Sequence, residues 1–189
     1  LPKDNPQSST PYWQQSIYTA AVIEGLTRAM PREQRPEVGM TYLGGLLHNF
    51  GYLLLAYVFP PHFSLICRHL EVNPHVSHSL IEQHLLGISR EQMGAWLMRF
   101  WGMPDELAIA VRFQHDPAYI GTDAAYPNLV CLALGLLRNH GIGHGASAPI
   151  PDALFERLGV TRDKAEAVVS KVLEAEVLLR EMAAQFGQA

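Results

Sequence analysis

Leu46-Leu47-His48-Asn49-Phe50-Gly51 is an apolar helical face interrupted by a His-Asn pair and closed by glycine. Around it, Leu43, Leu46, Leu47, Phe50 and Leu54 recur at helical spacing and predict one long helix over residues 37–58. Successive residues on a helix project about 100° apart. His48 and its neighbour could therefore share one ion only at a helix end or a distortion, and Gly51 offers such a loosening. An imidazole with a carboxylate makes a good donor pair for a divalent metal. Asn49 supplies a neutral amide oxygen where that pair needs an aspartate.

Outward from this stretch the pattern stays helical. Trp13, Ile17, Ala20, Ala21 and Leu26 predict a helix over residues 12–29, and Pro31 and Pro36 punctuate the connection that follows. Beyond Pro60-Pro61, Phe63, Ile66, Cys67 and Leu70 mark a shorter helix, and Asn73 or Pro74 is expected to open another that ends near Gly87. Ser89 with Gln92 forms a capping-box signature leading into Met93, Trp96, Leu97 and Phe100. Pro104, Asp105 and Glu106 start the next helix, which runs to His115. Further helices are expected over residues 123–139 and 151–158, with a last one capped by Thr161 that runs past Leu179. Sustained period-2 alternation and hairpin turn dipeptides are missing from the sequence. The expected fold is an all-α, compact multi-helix bundle of about seven to nine helices, with residues 1–11 as a linker or fragment edge and 12–189 as the domain.

Composition narrows the function classes. With 189 residues, 48% hydrophobic and 17% charged, the chain is sized for one globular domain. A formal net charge of −4 and 14 scattered Lys and Arg residues argue against nucleic acid as the main partner. The most apolar run, residues 43–59, is broken by His48-Asn49 and stopped by prolines, so it reads as a core helix, not a membrane span. The two cysteines, Cys67 and Cys131, sit in apolar helical contexts and are expected to be reduced core thiols in a cytoplasmic protein.

Nine histidines raise the question of a metal. No CxxC or His-Glu-x-x-His is present. His75 with His78, and His140 with His144, have helix-compatible spacing but are read as structural or solvent-exposed. Trp96, Phe100, Trp101 and Phe113 are read as core, and the charges of the last helix as its wet face. The glycine-rich stretch 141–149 is a loop that could meet a partner.

At this point several motifs fall in order. Leu46-Leu47-His48-Asn49-Phe50-Gly51 resembles the "LLHDIG" signature of the HD superfamily, specifically its HDOD branch. Residues 87–104, with Met93-Gly94-Ala95-Trp96-Leu97 and Trp101-Gly102-Met103-Pro104, resemble the HDOD pattern "lGvdHaevGaxLlxxWglP". Gln114-His115-Asp116-Pro117 resembles its "HHxP" block, and Trp13-Gln14-Gln15-Ser16 its "WxHS" element. HD phosphohydrolases hold a divalent metal with a spaced His…His-Asp…Asp set. Against that pattern this chain carries Gln15, Asn49, Arg90 and Gln114 where ligands are expected, and keeps only His48 and His115.

The resemblance therefore implies vestigial HD-site positions at Gln15, His48, Asn49, Arg90, Gln114 and His115, with no catalytic residue, no metal and no cofactor. It implies a bacterial signal-transduction or regulatory module working through protein partners, with self-association possible. It also implies a preceding helical half, which this chain would lack either as a C-terminal fragment, the alternative its start favours, or as a shortened variant. The alternative is an HD-type phosphohydrolase with an unusual ligand set drawn from His48, His84, His115 and Asp116. A third reading has the old pocket bind an anion through Arg90.

Overall fold

The computed structural model describes residues 12–143 and 147–175. Its helices are α1 (Tyr12–Ala29), α2 (Val38–Leu47), α3 (Phe50–Val58), α4 (Pro60–Val72), α5 (His78–Leu86), α6 (Arg90–Phe100), α7 (Asp105–Phe113), α8 (Ala125–Asn139), α9 (Asp152–Leu158) and α10 (Arg162–Glu174). No strand occurs among the described residues. The all-helical bundle is as the sequence pattern predicts.

Local chemistry explains most boundaries. The Ser89 hydroxyl accepts from the Gln92 amide while the Gln92 side chain accepts from the Ser89 amide, so the capping box at the start of α6 is formed in full. Thr161 caps α10 through the Lys164 amide, as expected from sequence. The stretch of α10 expected beyond residue 175 lies outside the described residues, as do the proposed linker 1–11 and His144. Within α1, Thr19 and Thr27 bond back to the carbonyls of Gln15 and Ile23, both at 2.7 Å. That satisfies both buried hydroxyls within the helix, and the Thr27 hydroxyl also reaches the Thr41 hydroxyl of α2 at 3.2 Å.

Two boundaries differ from expectation. The helix predicted over residues 37–58 is broken at the His-Asn pair: Asn49 lies at φ −88°, ψ 4°, between α2 and α3. Asn73 does not open α5 but ends α4, its side-chain amide donating to the His69 carbonyl at 2.9 Å. Ser77 is the residue that caps α5, through the Leu80 amide. His75 therefore falls in the turn and His78 begins the helix, so the two do not share a helical face.

Two apolar cores result. The larger joins α1, α8, α9 and α10 through Val22, Ile23, Leu26, Leu132, Leu136 and Leu158. The other joins α3, α4, α5 and α6 through Tyr52, Leu55, Phe63, Ile66, Ile81 and Met93. Between them, Met98, Ala108 and Val111 pack against Leu47 and Phe50, so the broken α2–α3 segment bridges the two halves. Both cysteines are half-buried and unbonded to each other; Cys67 packs against the second core and Cys131 against the first. No single helix among the described residues is long and apolar enough to cross a membrane; the pair 38–58 and 60–72 reaches that length only across a bend of 115°.

The aromatic reading needs correction. Trp96, Phe100 and Trp101 are exposed, Phe100 to 72%. Helix α6 turns Gly94, Leu97 and Met98 inward, and Trp96 stacks on Phe100 four residues away on the opposite side, with ring centroids 5.6 Å apart. Trp101 meets Phe50 edge-on at 5.5 Å.

Candidate functional site

The break between α2 and α3 places the His-Asn pair at the centre of the molecule. His48 is 5% exposed, and its ring Nδ1 lies 2.6 Å from the Gly45 carbonyl oxygen. A carbonyl can only accept, so Nδ1 carries the proton and donates. Burial lowers the His48 pKa to about 4, against the opposing effect of the Gly45 bond, and the ring is neutral at physiological pH. Gln114, 2% exposed at the end of α7, donates its side-chain amide to the His48 carbonyl at 3.0 Å and to the Val111 carbonyl at 2.9 Å. It braces the break across the bundle. The Asn49 Nδ2 and Gln114 Oε1 atoms are buried without a hydrogen-bond partner.

Arg90 begins α6 beside this pair. Its guanidinium Nε pairs with Glu82 of α5, which is fully buried, and its backbone amide donates to the other Glu82 oxygen at 2.8 Å. The guanidinium also lies over the Tyr52 ring, 4.9 Å from the centroid. Burial works against its charge, but Glu82, Tyr12 and Glu91 together overcome burial and raise the Arg90 pKa. Gln15 is buried in α1 at 3% exposure.

A separate cluster stands nearby. Glu91, the second residue of α6 and 5% exposed on its side chain, has its Oε1 2.5 Å from His78 Nε2 and 3.5 Å from His115 Nε2. The two imidazole rings meet edge to face at 5.1 Å. Burial raises the Glu91 pKa, but the hydrogen bond and charge of His78, then His115 and Arg90, overcome it and hold the carboxyl well below the ordinary range. His115 is pushed down from its usual pKa by burial and then by His78, an effect tempered by the 40% of its side chain that remains in solvent.

The chain can now be compared with known proteins. The model of the HDOD domain matches residues 2–117. The chain belongs to the HDOD family. A candidate signal transduction protein from Marinobacter aquaeolei VT8 is 45% identical, with a TM-score of 0.88, over 97% of this chain and 40% of its own. This chain thus spans well under half of that protein. An HDOD domain protein of unknown function from Geobacter sulfurreducens has 19% identity and a TM-score of 0.70, over 93% of this chain and 63% of its own. A candidate phosphohydrolase from Shewanella amazonensis SB2B has 17% identity and a TM-score of 0.65, over 91% and 63%. At those two identities the likeness is one of fold. No curated protein matches.

The positions that the motif resemblance assigns to an HD ligand set carry groups that do not suit a metal here. Gln114 uses its amide nitrogen on protein carbonyls, Asn49 offers a buried amide nitrogen, and Arg90 brings a guanidinium locked to Glu82. An anion at Arg90 would have to displace Glu82. The alternative set of His48, His84, His115 and Asp116 is not brought together: among the described residues, the His, Cys, Asp and Glu side chains able to share one ion are His78, Glu91 and His115. Asp116 accepts the Ala118 amide at 3.0 Å in a local turn. His78, read as structural or solvent-exposed, is ion-paired to Glu91, a residue that sequence reasoning missed. His140, of the other pair, bonds Glu166 at 3.0 Å.

Proposed function

We propose that this HDOD domain is a non-catalytic, cytoplasmic bacterial signalling module that works through contacts with other proteins. The observation that carries the reading is the occupation of the HD-type positions by groups already bonded within the protein, above all Gln114 on His48 and Arg90 on Glu82. A metal-activated water needs ligands with free lone pairs and an open coordination position. The Gln114 amide nitrogen and the Arg90 guanidinium are donors, and both are engaged; the Gln114 carbonyl oxygen left over is uncharged and a poor substitute for a carboxylate or imidazole ligand. The 45% identity to a candidate signal transduction protein supports the signalling class. Exposed Trp96 and Phe100 offer apolar surface of the kind protein contacts use.

A phosphohydrolase is the competing reading, and the fold likeness to a candidate phosphohydrolase is its support. The two separate on turnover of bis(p-nitrophenyl) phosphate by the purified chain with Mg²⁺, Mn²⁺, Fe²⁺ or Zn²⁺ added. No turnover above buffer is expected. Hydrolysis that disappears in a His48→Ala/His115→Ala variant would overturn the non-catalytic reading.

A further inference from the structure

The cluster of His78, Glu91 and His115 remains once the HD-type positions are accounted for. It draws on three separate elements: the first residue of α5, the second of α6, and the turn after α7. One ligand atom from each lies within 4.8 Å of the other two. Of the inherited HD positions it uses only His115.

Charge accounting shows what such a cluster lacks. Two buried carboxylates, Glu82 and Glu91, stand beside one guanidinium, and Arg90 is committed to Glu82. The ion-pair partners of Glu91 are His78 and His115. A buried carboxylate without a counter-charge is costly. A cation among the three side chains would supply one that belongs to this cluster, since Arg90 is held by Glu82.

Two imidazoles and one carboxylate form a donor set found in open zinc sites and in non-haem iron sites. Magnesium and calcium prefer oxygen-rich shells. The side chains of His78 and His115 keep 21% and 40% exposure, so an ion has a route from solvent, and water can complete its shell. Ligands about 2.0–2.1 Å from a tetrahedral ion lie roughly 3.3 Å from one another. The His78–Glu91 contact of 2.5 Å would then widen and the His115–Glu91 contact of 3.5 Å would barely change.

We propose that His78, Glu91 and His115 bind one divalent transition-metal ion of the zinc class, clamping α5 and α6 to the turn after α7. The site is independent of the signalling reading and requires no catalysis.

The test is calorimetric titration of the 189-residue chain with Zn²⁺, with Mg²⁺ as contrast, and the visible spectrum of the Co²⁺ form. One Zn²⁺ per chain is expected, with Co²⁺ d–d bands and no competition from Mg²⁺. His78→Ala, Glu91→Gln and His115→Ala should each weaken Zn²⁺ by at least about tenfold, while His75→Ala, in the exposed turn, leaves it unchanged. If Glu91→Gln does not fold, His115→Ala decides, because its partly exposed side chain can be removed with folding checked by circular dichroism. No Zn²⁺ binding by the unaltered chain would overturn the site. Equal binding by the His115→Ala variant would overturn it too, assigning the ion to other histidines. Failure of this site leaves the signalling reading standing. Phosphodiester turnover by a zinc-loaded chain would sink that reading and leave the site intact.

Discussion

Gly51 on α3 lies directly against the backbone of Arg90 on α6: a methyl group at Gly51 would stand 1.8 Å from the Arg90 carbonyl oxygen and 3.0 Å from the Gly94 amide nitrogen. The glycine that closes the HD-like signature is there for close approach of two helices. The crossing holds the His48-Asn49 break beside the start of α6, where Arg90 and Glu91 diverge toward their separate partners.

Gly51→Ala should therefore be strongly destabilising. The obstruction is backbone, which cannot rotate away, so α3 and α6 must separate. An overpacking cost of about 3 kcal/mol is expected, read as a lower urea midpoint. Gly87→Ala tests the contrast. That glycine has φ 72° and open space around a Cβ, so its cost is only that of an alanine in the left-handed region, about 1 kcal/mol.

Glu82 and Arg90 form a buried pair whose members depend on each other. Glu82→Gln removes the charge that compensates a guanidinium beneath the Tyr52 ring, and should cost about 3–5 kcal/mol. A Glu82→Leu/Arg90→Met double variant removes both charges and should be the milder change of the two. Urea unfolding of both variants at pH 7 checks the order. If the double variant is the less stable, the pair contributes more through its hydrogen bonds than through charge compensation.

His48 gives the fold a dependence on mild acid. Its folded pKa of about 4 lies below its ordinary value of 6.5. Between those pH values the unfolded chain binds a proton that the folded chain refuses, so stability falls as pH drops from 6.5 toward 4. The loss approaches about 3 kcal/mol at the lower limit. Chemical unfolding measured at half-unit steps should show this slope. His48→Gln should reduce it, leaving the share of His115, which is also held below its usual value; an unchanged slope would assign the acid sensitivity to other groups.

What could be read from sequence was local. The Ser89–Gln92 capping box and the Thr161 cap are each decided within a turn of helix, where spacing fixes which atoms meet. The stripe of Leu43, Leu46, Leu47, Phe50 and Leu54 is not, because the helix breaks at His48-Asn49 and the buried positions of α2 and α3 are Thr41, Gly44, Gly45, Gly51, Tyr52, Leu55 and Ala56. Spacing also places Trp96 and Phe100 on one helical face, but it does not say whether another helix covers that face; in the fold none of the described ones does. The meeting of His78, Glu91 and His115 was hidden for a related reason. His78 and Glu91 are 13 residues apart on different helices, and their contact depends on how α5 turns back on α6 at Gly87. His75, three residues before His78, shares none of it, because Asn73 and Ser77 are consumed as the end of one helix and the cap of the next.

Restoring the missing aspartate should not restore an HD-type centre. In an Asn49→Asp variant, a carboxylate oxygen would replace the buried Nδ2 atom that has no partner, and the charge would have to be accommodated beside the neutral His48 ring. Gln15 and Gln114 would still supply amides, and Arg90 would remain held by Glu82. His115 is turned to Glu91, so with His48 and the new aspartate alone a divalent ion lacks the three protein ligands of an open catalytic site. The expected outcome is no hydrolysis of bis(p-nitrophenyl) phosphate with added Mn²⁺ or Zn²⁺, together with a loss of about 1–3 kcal/mol in urea unfolding at pH 7. Turnover by this single variant would mean that His48 and position 49 need little help from the surrounding amides, and that one atom exchange separates this domain from catalysis.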